Sequence, residues 1–184
     1  FTFFIGTSHP RTTNVAHRLT KYNVAIERRN AVLQFRHEVK HEISHHDMLI
    51  LRQRLRAVMK PDSHAVNGQY EIRSLYFDNL NDKALREKID GVNVREKFRI
   101  RYYNGDTALI NLEKKSKING ICLKESVSLT IEQTETILNG DYTWMTESKE
   151  SLVRELYIKM KHEGLRPKTI VDYTKRLASA LHVV

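Results

Sequence analysis

The sequence predicts an α+β fold built around an antiparallel β-sheet, and three observations support this prediction. Several segments alternate apolar and charged residues with the period of two that places one set of side chains on each face of a strand. Two Asn-Gly pairs separate such segments, and this pair is typical of tight β-hairpins. Other segments carry apolar residues at helical spacing. With 184 residues, the chain is long enough to bury one core.

The charge balance predicts an anionic partner. The chain has 31 Lys and Arg against 22 Asp and Glu, a formal net charge of +9 at pH 7. Nucleic acid, phosphate chains and acidic lipid all fit such a balance. No apolar run has the length needed to span a bilayer, and no signal peptide is recognisable, so we expect no membrane insertion by this chain and a cytoplasmic location.

Regular patterning of apolar residues begins at residue 33. Residues 1–32 lack apolar periodicity, and we expect them to form a flexible leader. A strand is predicted over 33–43. Ser44 and Asp47 then match the start of a helix with a capping box. That helix is predicted to continue to Lys60 and Pro61, because apolar residues recur at helical spacing at Met48, Leu51, Leu55 and Val58.

The remaining two thirds of the chain alternate between strands and helices. β-branched and aromatic residues with period-two patterning predict strands over 70–77, 94–103, 108–117, 121–129 and 168–174. Helical patterning predicts helices over 81–89, 130–138 and 151–161. Tight turns are expected at the pairs Asn104-Gly105 and Asn119-Gly120, so that three consecutive strands form two hairpins.

Cations collect on one face of these predicted hairpins. The strand over 94–103 places Arg95, Lys97, Arg99 and Arg101 on one face, opposite Val94, Phe98, Ile100 and Tyr102. The next two strands place Glu113, Lys115, Lys117 and Lys124 on the charged side in the same way. Such a face can simply be the solvated side of a sheet. Stacked like charges repel each other, however, and this indicates a compensating anion such as phosphate, which the planar fork of arginine binds bidentately.

Five segments together carry a resemblance to a known family. They occur in a fixed order along the chain: 35–40 (Phe-Arg-His-Glu-Val-Lys), 73–78 (Arg-Ser-Leu-Tyr-Phe-Asp), 85–91 (Leu-Arg-Glu-Lys-Ile-Asp-Gly), 97–103 (Lys-Phe-Arg-Ile-Arg-Tyr-Tyr) and 112–115 (Leu-Glu-Lys-Lys) with its downstream Lys124. In this order and spacing they resemble the polyphosphate polymerase domain, or vacuolar transporter chaperone (VTC) domain. This domain belongs to the CYTH or triphosphate tunnel metalloenzyme superfamily. The resemblance covers about residues 33–175.

The resemblance implies an antiparallel β-barrel tunnel with flanking helices, whose basic interior binds the triphosphate of ATP and a polyphosphate chain. It implies transfer of the terminal phosphoryl group of ATP to polyphosphate with a divalent metal, Mn or Mg. Residues that resemble the tunnel's phosphate ligands are Lys40, Arg99, Arg101, Lys115 and Lys124, with Arg73 added, and we expect Lys40, Arg99 and Arg101 to act in catalysis. Glu38 is the predicted metal ligand.

The C-terminal end departs from the family pattern. The resemblance implies further strands with more arginines and a metal-binding glutamate, and these would follow residues 171–174. We therefore expect a partial tunnel domain over 33–176, an irregular tail over 177–184 and an incomplete, open barrel of low activity. The alternatives are a non-catalytic module that binds polyphosphate or inositol pyrophosphates, and a nucleic-acid binder, which the net charge and the aromatic residues would favour.

Overall fold

A computed structural model describes the backbone of residues 2–9, 22–27, 38–61, 65 and 67–180, and the side chains of 41–60, 65 and 67–176. The chain divides into two compact units. Phe1–Ile72 and Val171–Val184 form the first unit, and Arg73–Ile170 forms the second. No described helix is both long and apolar enough to span a bilayer.

The described part of the first unit is an antiparallel sheet with one helix. Its strands are β1 (Thr2–His9), β2 (Tyr22–Glu27), β3 (Glu38–Ile43), β4 (Met59–Pro61) and parts of β5 (Tyr70–Asp78) and β9 (Arg166–Ala180). Four of them stand in the order β3-β2-β1-β9, and β4 also pairs with β9. Helix α1 (His45–Leu55) begins with the predicted capping box, because Ser44 and Asp47 bond to each other's backbone N–H groups.

Three predictions for the first unit differ from its structure. The segment expected to be a flexible leader contains β1 and β2, and residues 177–180 of the expected tail belong to β9. Helix α1 ends at Leu55, five residues before Lys60, because Met59 instead pairs with Ala180. Each of these pairings joins distant parts of the chain, and local periodicity does not reveal such partners. Residues 33–37 of the predicted first strand lie outside the described residues.

The second unit is an α+β sandwich of one sheet and one helical layer. Strands β6 (Val94–Tyr103), β7 (Asp106–Ile118) and β8 (Ile121–Leu129) join β5 and β9 in the order β9-β5-β6-β7-β8. The pairs β6–β7 and β7–β8 are antiparallel. The helices are α2 (Lys83–Ile89), α3 (Ile131–Leu138), a 3₁₀ turn (Thr143–Thr146) and α4 (Ser151–His162). The α+β class is confirmed, while the described strands form an open sheet, so the closed tunnel stays a prediction.

The two predicted hairpins are present. Asn119 and Gly120 both have positive φ, 48° and 86°, and Ile118 pairs with Ile121 across this two-residue turn. Asn104 and Gly105 form an equivalent turn with φ of 53° and 72°. Asparagine and glycine tolerate this left-handed backbone better than other residues, which explains why these pairs occupy the turns.

The core of the second unit lies between the sheet and helices α3 and α4. Alternate residues of β6 and β7 enter it, among them Phe98 and Leu112. The helices contribute the other side of the core, with Ile137, Leu152, Val153, Leu156 and Met160. Since successive side chains of a strand point to opposite faces, the charged residues between these apolar positions are placed on the other face of the sheet.

Ion pairs fasten the helical layer to this side of the sheet. Lys114 bonds to Glu155 of α4 and also lies 3.6 Å from Glu96 and 3.4 Å from Glu125 on the two neighbouring strands. Lys159 of α4 bonds to Glu96 at 2.6 Å. These ion pairs all lie on the side of the sheet that faces the helices, and they do not involve the charged residues of the opposite face.

Candidate functional site

A cluster of cations occupies the face of the second unit's sheet that points away from α3 and α4. We call this set the cationic face: Lys97, Arg99 and Arg101 on β6, Lys115 on β7 and Lys124 on β8. Of the carboxylates whose side chains the structure describes, that of Glu113 on β7 lies among them. With five cationic side chains and one carboxylate, the set carries a net charge of +4 at neutral pH.

Strand register brings these residues into adjacent rows. Lys97 pairs with Lys115 across β6 and β7, and Lys115 pairs with Lys124 across β7 and β8. Arg99 pairs with Glu113 in the neighbouring row. Directly opposed residues of an antiparallel pair have Cβ atoms roughly 4.5–5.5 Å apart, and like charges at that distance are destabilising. A row of three lysines therefore creates a concentrated positive potential that an anion would relieve.

Glu113 is the centre of the cationic face and is only 2% exposed. Its Oε2 accepts hydrogen bonds from Arg99, with Nε at 2.7 Å and Nη2 at 2.6 Å. Its Oε1 lies 2.6 Å from Nζ of Lys124, and Nη1 of Arg101 lies 3.8 Å from Oε2. One buried carboxylate thus contacts cations from two flanking strands.

The electrostatics of Glu113 follow from this geometry. Burial alone would raise the pKa of the Glu113 carboxyl group, because a charge is poorly solvated there. The charges of Arg99, Lys124 and Arg101, with the hydrogen bond from Lys124, outweigh burial and lower this pKa to about 2. Glu113 is therefore ionised at any physiological pH.

Strand β5 supplies two neutral partners to the same face. Nη1 of Arg99 donates to the hydroxyl of Tyr76 at 3.0 Å, and Nε of Arg101 donates to Oγ of the fully buried Ser74 at 2.8 Å. Lys97 lies 5.4 Å from the centre of the Tyr76 ring, a cation–π distance. Both guanidinium groups are thereby held from two sides.

The phenol of Tyr76 responds to its cationic surroundings. Burial would raise the pKa of Tyr76, but the charges of Arg99, Lys97 and Arg101 and the hydrogen bond from Arg99 lower it to about 8. The shift has the direction expected of a group that lies in a positive potential. The lowered pKa of Tyr76 is a consequence of the same three cations, Arg99, Lys97 and Arg101.

The structure brings together four of the predicted site residues. Arg99, Arg101, Lys115 and Lys124 all belong to the cationic face. Arg73 does not join them, since its Nη1 donates to the hydroxyl of Tyr102 at 3.4 Å on the side of the sheet that carries the core. The side chains of the other two, Glu38 and Lys40, lie outside the described side chains, and their roles remain predictions.

No protein metal site is evident on this face. Among the residues that the structure describes, no three His, Cys, Asp or Glu side chains come together to hold a metal ion. Glu113 is surrounded by cations, and their repulsion opposes a divalent ion at its oxygens. These residues therefore do not fit a metal held by protein ligands alone.

Sequence reasoning assigned no function to Lys97 of the cationic face, nor to its neighbours Ser74, Tyr76 and Glu113. Parity had placed Lys97 and Glu113 on the charged side of their strands, and that signal could have included them. Ser74 and Tyr76 are uncharged residues within the 73–78 segment, and only the neighbouring guanidinium groups reveal their part in the site.

The family model of the VTC domain matches residues 35–178. A comparison with curated protein sequences finds no match. The matched range contains the cationic face, the whole of the second unit and about half of the first unit.

Proposed function

The chain belongs to the VTC domain family, whose function is related to polyphosphate, and on this basis we propose that the cationic face binds the triphosphate of ATP and a polyphosphate chain. We further propose that it supports transfer of the terminal phosphoryl group of ATP to polyphosphate. The observation that carries the proposal is the alignment of Lys97, Lys115 and Lys124 beside the buried pair of Arg99 and Glu113.

The residue types fit a chain of phosphates. Arg99 and Arg101 offer planar donor groups that match pairs of phosphate oxygens, whereas the lysines offer point charges that tolerate looser geometry. Burial strengthens their electrostatic effect, since the side chains of Arg99 and Arg101 are only 13% and 5% exposed. Lys40 is proposed as a further ligand.

Phosphoryl transfer of this kind needs positioning and charge stabilisation more than a protein nucleophile. In the proposed reaction the acceptor phosphate oxygen attacks the terminal phosphorus of ATP, and ADP leaves with the electrons of the broken P–O bond. The fixed cations Arg99 and Arg101 would stabilise charge on the transferred group. A divalent metal, Mn or Mg, would offset negative charge on the nucleotide, and Glu38 is the proposed protein ligand that would hold it.

Direct binding measurements test this proposal. We expect tripolyphosphate to bind the chain in isothermal titration calorimetry, with an affinity that falls as salt rises. Lys115→Gln should weaken binding about 10-fold, because a charge-assisted hydrogen bond contributes roughly 1.5–3 kcal/mol. Lys88→Gln removes the same charge from exposed α2 and should change affinity less than about 2-fold. If both variants bind like the unaltered chain, the cationic face is not the site.

Turnover separates the enzyme from a binding module. Incubation with ATP, Mn²⁺ and a short polyphosphate primer should yield acid-stable polymer. Binding without polymer would identify a non-catalytic polyphosphate or inositol pyrophosphate module. If an oligonucleotide displaces tripolyphosphate at equal phosphate concentration, the chain is a nucleic-acid binder and the proposal is overturned.

A further inference from the structure

Glu113 is an unexpected residue on a surface that is proposed to bind anions. A carboxylate repels phosphate, so charge alone predicts that Glu113 weakens binding. Yet it occupies the centre of the cationic face and is almost completely buried. Its position below the cations, farther from solvent than Lys124, also keeps it from touching a ligand that approaches from outside.

The contacts of Glu113 indicate what it does there. Each of its oxygens is used by a different cation, Oε2 by Arg99 and Oε1 by Lys124, at 2.6–2.7 Å. The two cations come from different strands, β6 and β8, and β7 with Glu113 lies between them. Glu113 therefore fixes the distance between two groups that no direct contact could hold together, because both are positive.

We propose that Glu113 is a positioning residue that strengthens polyphosphate binding by holding Arg99 and Lys124 in place. This inference rests on the proposed function of the cationic face. Long cationic side chains lose conformational entropy when they are fixed. In a site that is already ordered before the ligand arrives, this entropy is not lost on binding, so the affinity is higher. Glu113 is itself fixed by burial on the middle strand of the two hairpins.

Positioning outweighs the repulsion for two reasons. The charge of Glu113 is already matched by adjacent cations, so its field beyond the cluster is largely cancelled. Without the carboxylate, Arg99, Arg101 and Lys124 would lose the counter-charge that Glu113 places between them, and their mutual repulsion would favour moving apart. A glutamine at this position does not replace it, because its NH₂ group would face a cationic donor in either amide orientation.

The test is the affinity of the full chain for tripolyphosphate in isothermal titration calorimetry. Glu113→Gln raises the net charge by one, yet we expect it to weaken binding about 10-fold. Glu125→Gln is the matched control, because it raises the net charge equally on the neighbouring strand but pairs with Lys114 on the helical side. Glu125→Gln should bind as the unaltered chain does or slightly more tightly. Unchanged or tighter binding by Glu113→Gln overturns the inference.

A double-mutant cycle separates positioning from a general loss of structure. If Glu113 acts through Lys124, then Glu113→Gln should weaken binding by a smaller factor in a Lys124→Gln background than in the unaltered chain. Equal factors in both backgrounds would contradict the inference. Folding of every variant is checked by the fluorescence of Trp144, the single tryptophan, which packs against the core of the second unit.

A second variant covers the case in which Glu113→Gln does not fold. Glu113→Asp keeps the charge but withdraws the carboxylate from Arg99 and Lys124, and we expect it to weaken binding as well. Affinity equal to that of the unaltered chain would refute a positioning role. If the unaltered chain itself does not bind tripolyphosphate, the proposed function is wrong. If the unaltered chain binds and substitution of Glu113 leaves the affinity unchanged, only the inference about Glu113 is wrong.

Discussion

Acid should remove a large part of the stability that Glu113 confers on the second unit. The pKa of Glu113 is lowered from 4.5 to about 2 in the folded chain. A carboxyl group whose folded pKa is depressed contributes stability that is fully present above its unfolded pKa and is lost as the pH falls through the folded one. At about 1.36 kcal/mol per pKa unit, this shift corresponds to roughly 3 kcal/mol at pH 7 and about 1.4 kcal/mol at pH 3.

Glu113→Gln makes this contribution measurable. We expect urea unfolding followed by Trp144 fluorescence to show that the variant is about 3 kcal/mol less stable at pH 7, with a gap that narrows to about 1 kcal/mol at pH 3. Trp144 belongs to the same unit as Glu113 and packs against its core, so it reports the relevant transition.

Glu125→Gln provides the control for this measurement. The side chain of Glu125 is 41% exposed and lies 3.4 Å from Lys114, which keeps two other carboxylates nearby. Such a partly exposed pair contributes less than about 1 kcal/mol, so Glu125→Gln should lower the free energy of unfolding at pH 7 far less than Glu113→Gln does. A gap for Glu113→Gln that is below 1 kcal/mol at pH 7, or that stays constant down to pH 3, would refute the electrostatic account of the cationic face.

Two further predictions concern Tyr76 and the core. The pKa of Tyr76 is lowered to about 8 from an ordinary value of 10, so the stability that its ionised form adds is lost as the pH falls through 8. Between pH 8 and 9.5, the free energy of unfolding of the unaltered chain should therefore rise by about 1–2 kcal/mol relative to that of Tyr76→Phe. Urea unfolding that shows the same pH dependence for both chains would contradict this. Leu112→Ala should cost about 2–5 kcal/mol, since Leu112 is 0% exposed, whereas Leu109→Ala on the same strand, at 63% exposure, should cost less than about 1 kcal/mol in thermal unfolding.

Strand parity within the second unit could be predicted from sequence because it depends on neighbouring residues. The alternation from Arg95 to Tyr102 placed Phe98 and Ile100 in the core and Arg99 and Arg101 on the other face, and the structure confirms this. The Asn119-Gly120 turn also determined its hairpin register, because a regular two-residue turn pairs its flanking residues directly.

The register between β6 and β7 could not be predicted in this way. Tyr103 pairs with Asp106 across the Asn104-Gly105 turn, but the register shifts before Arg101, which pairs with Asn111. A regular hairpin would have placed Ile110 opposite Arg99. The register shift places Glu113 opposite Arg99 instead. Because the shift is by an odd number of residues, the charged side chains of β7, and not its apolar ones, lie on the same face as Arg99.

The sequence by itself determined the α+β class, the turn positions, the VTC family and the side of β6, β7 and β8 that carries the cationic face. All of these depend on residue types at short, regular spacing. Tertiary structure alone decided that Glu113 lies between Arg99 and Lys124, that Arg73 faces the core side, and that Met59 pairs with Ala180 in place of a longer helix. These outcomes depend on contacts between distant segments, whose free energy depends on register and burial, and neither is encoded in a local pattern.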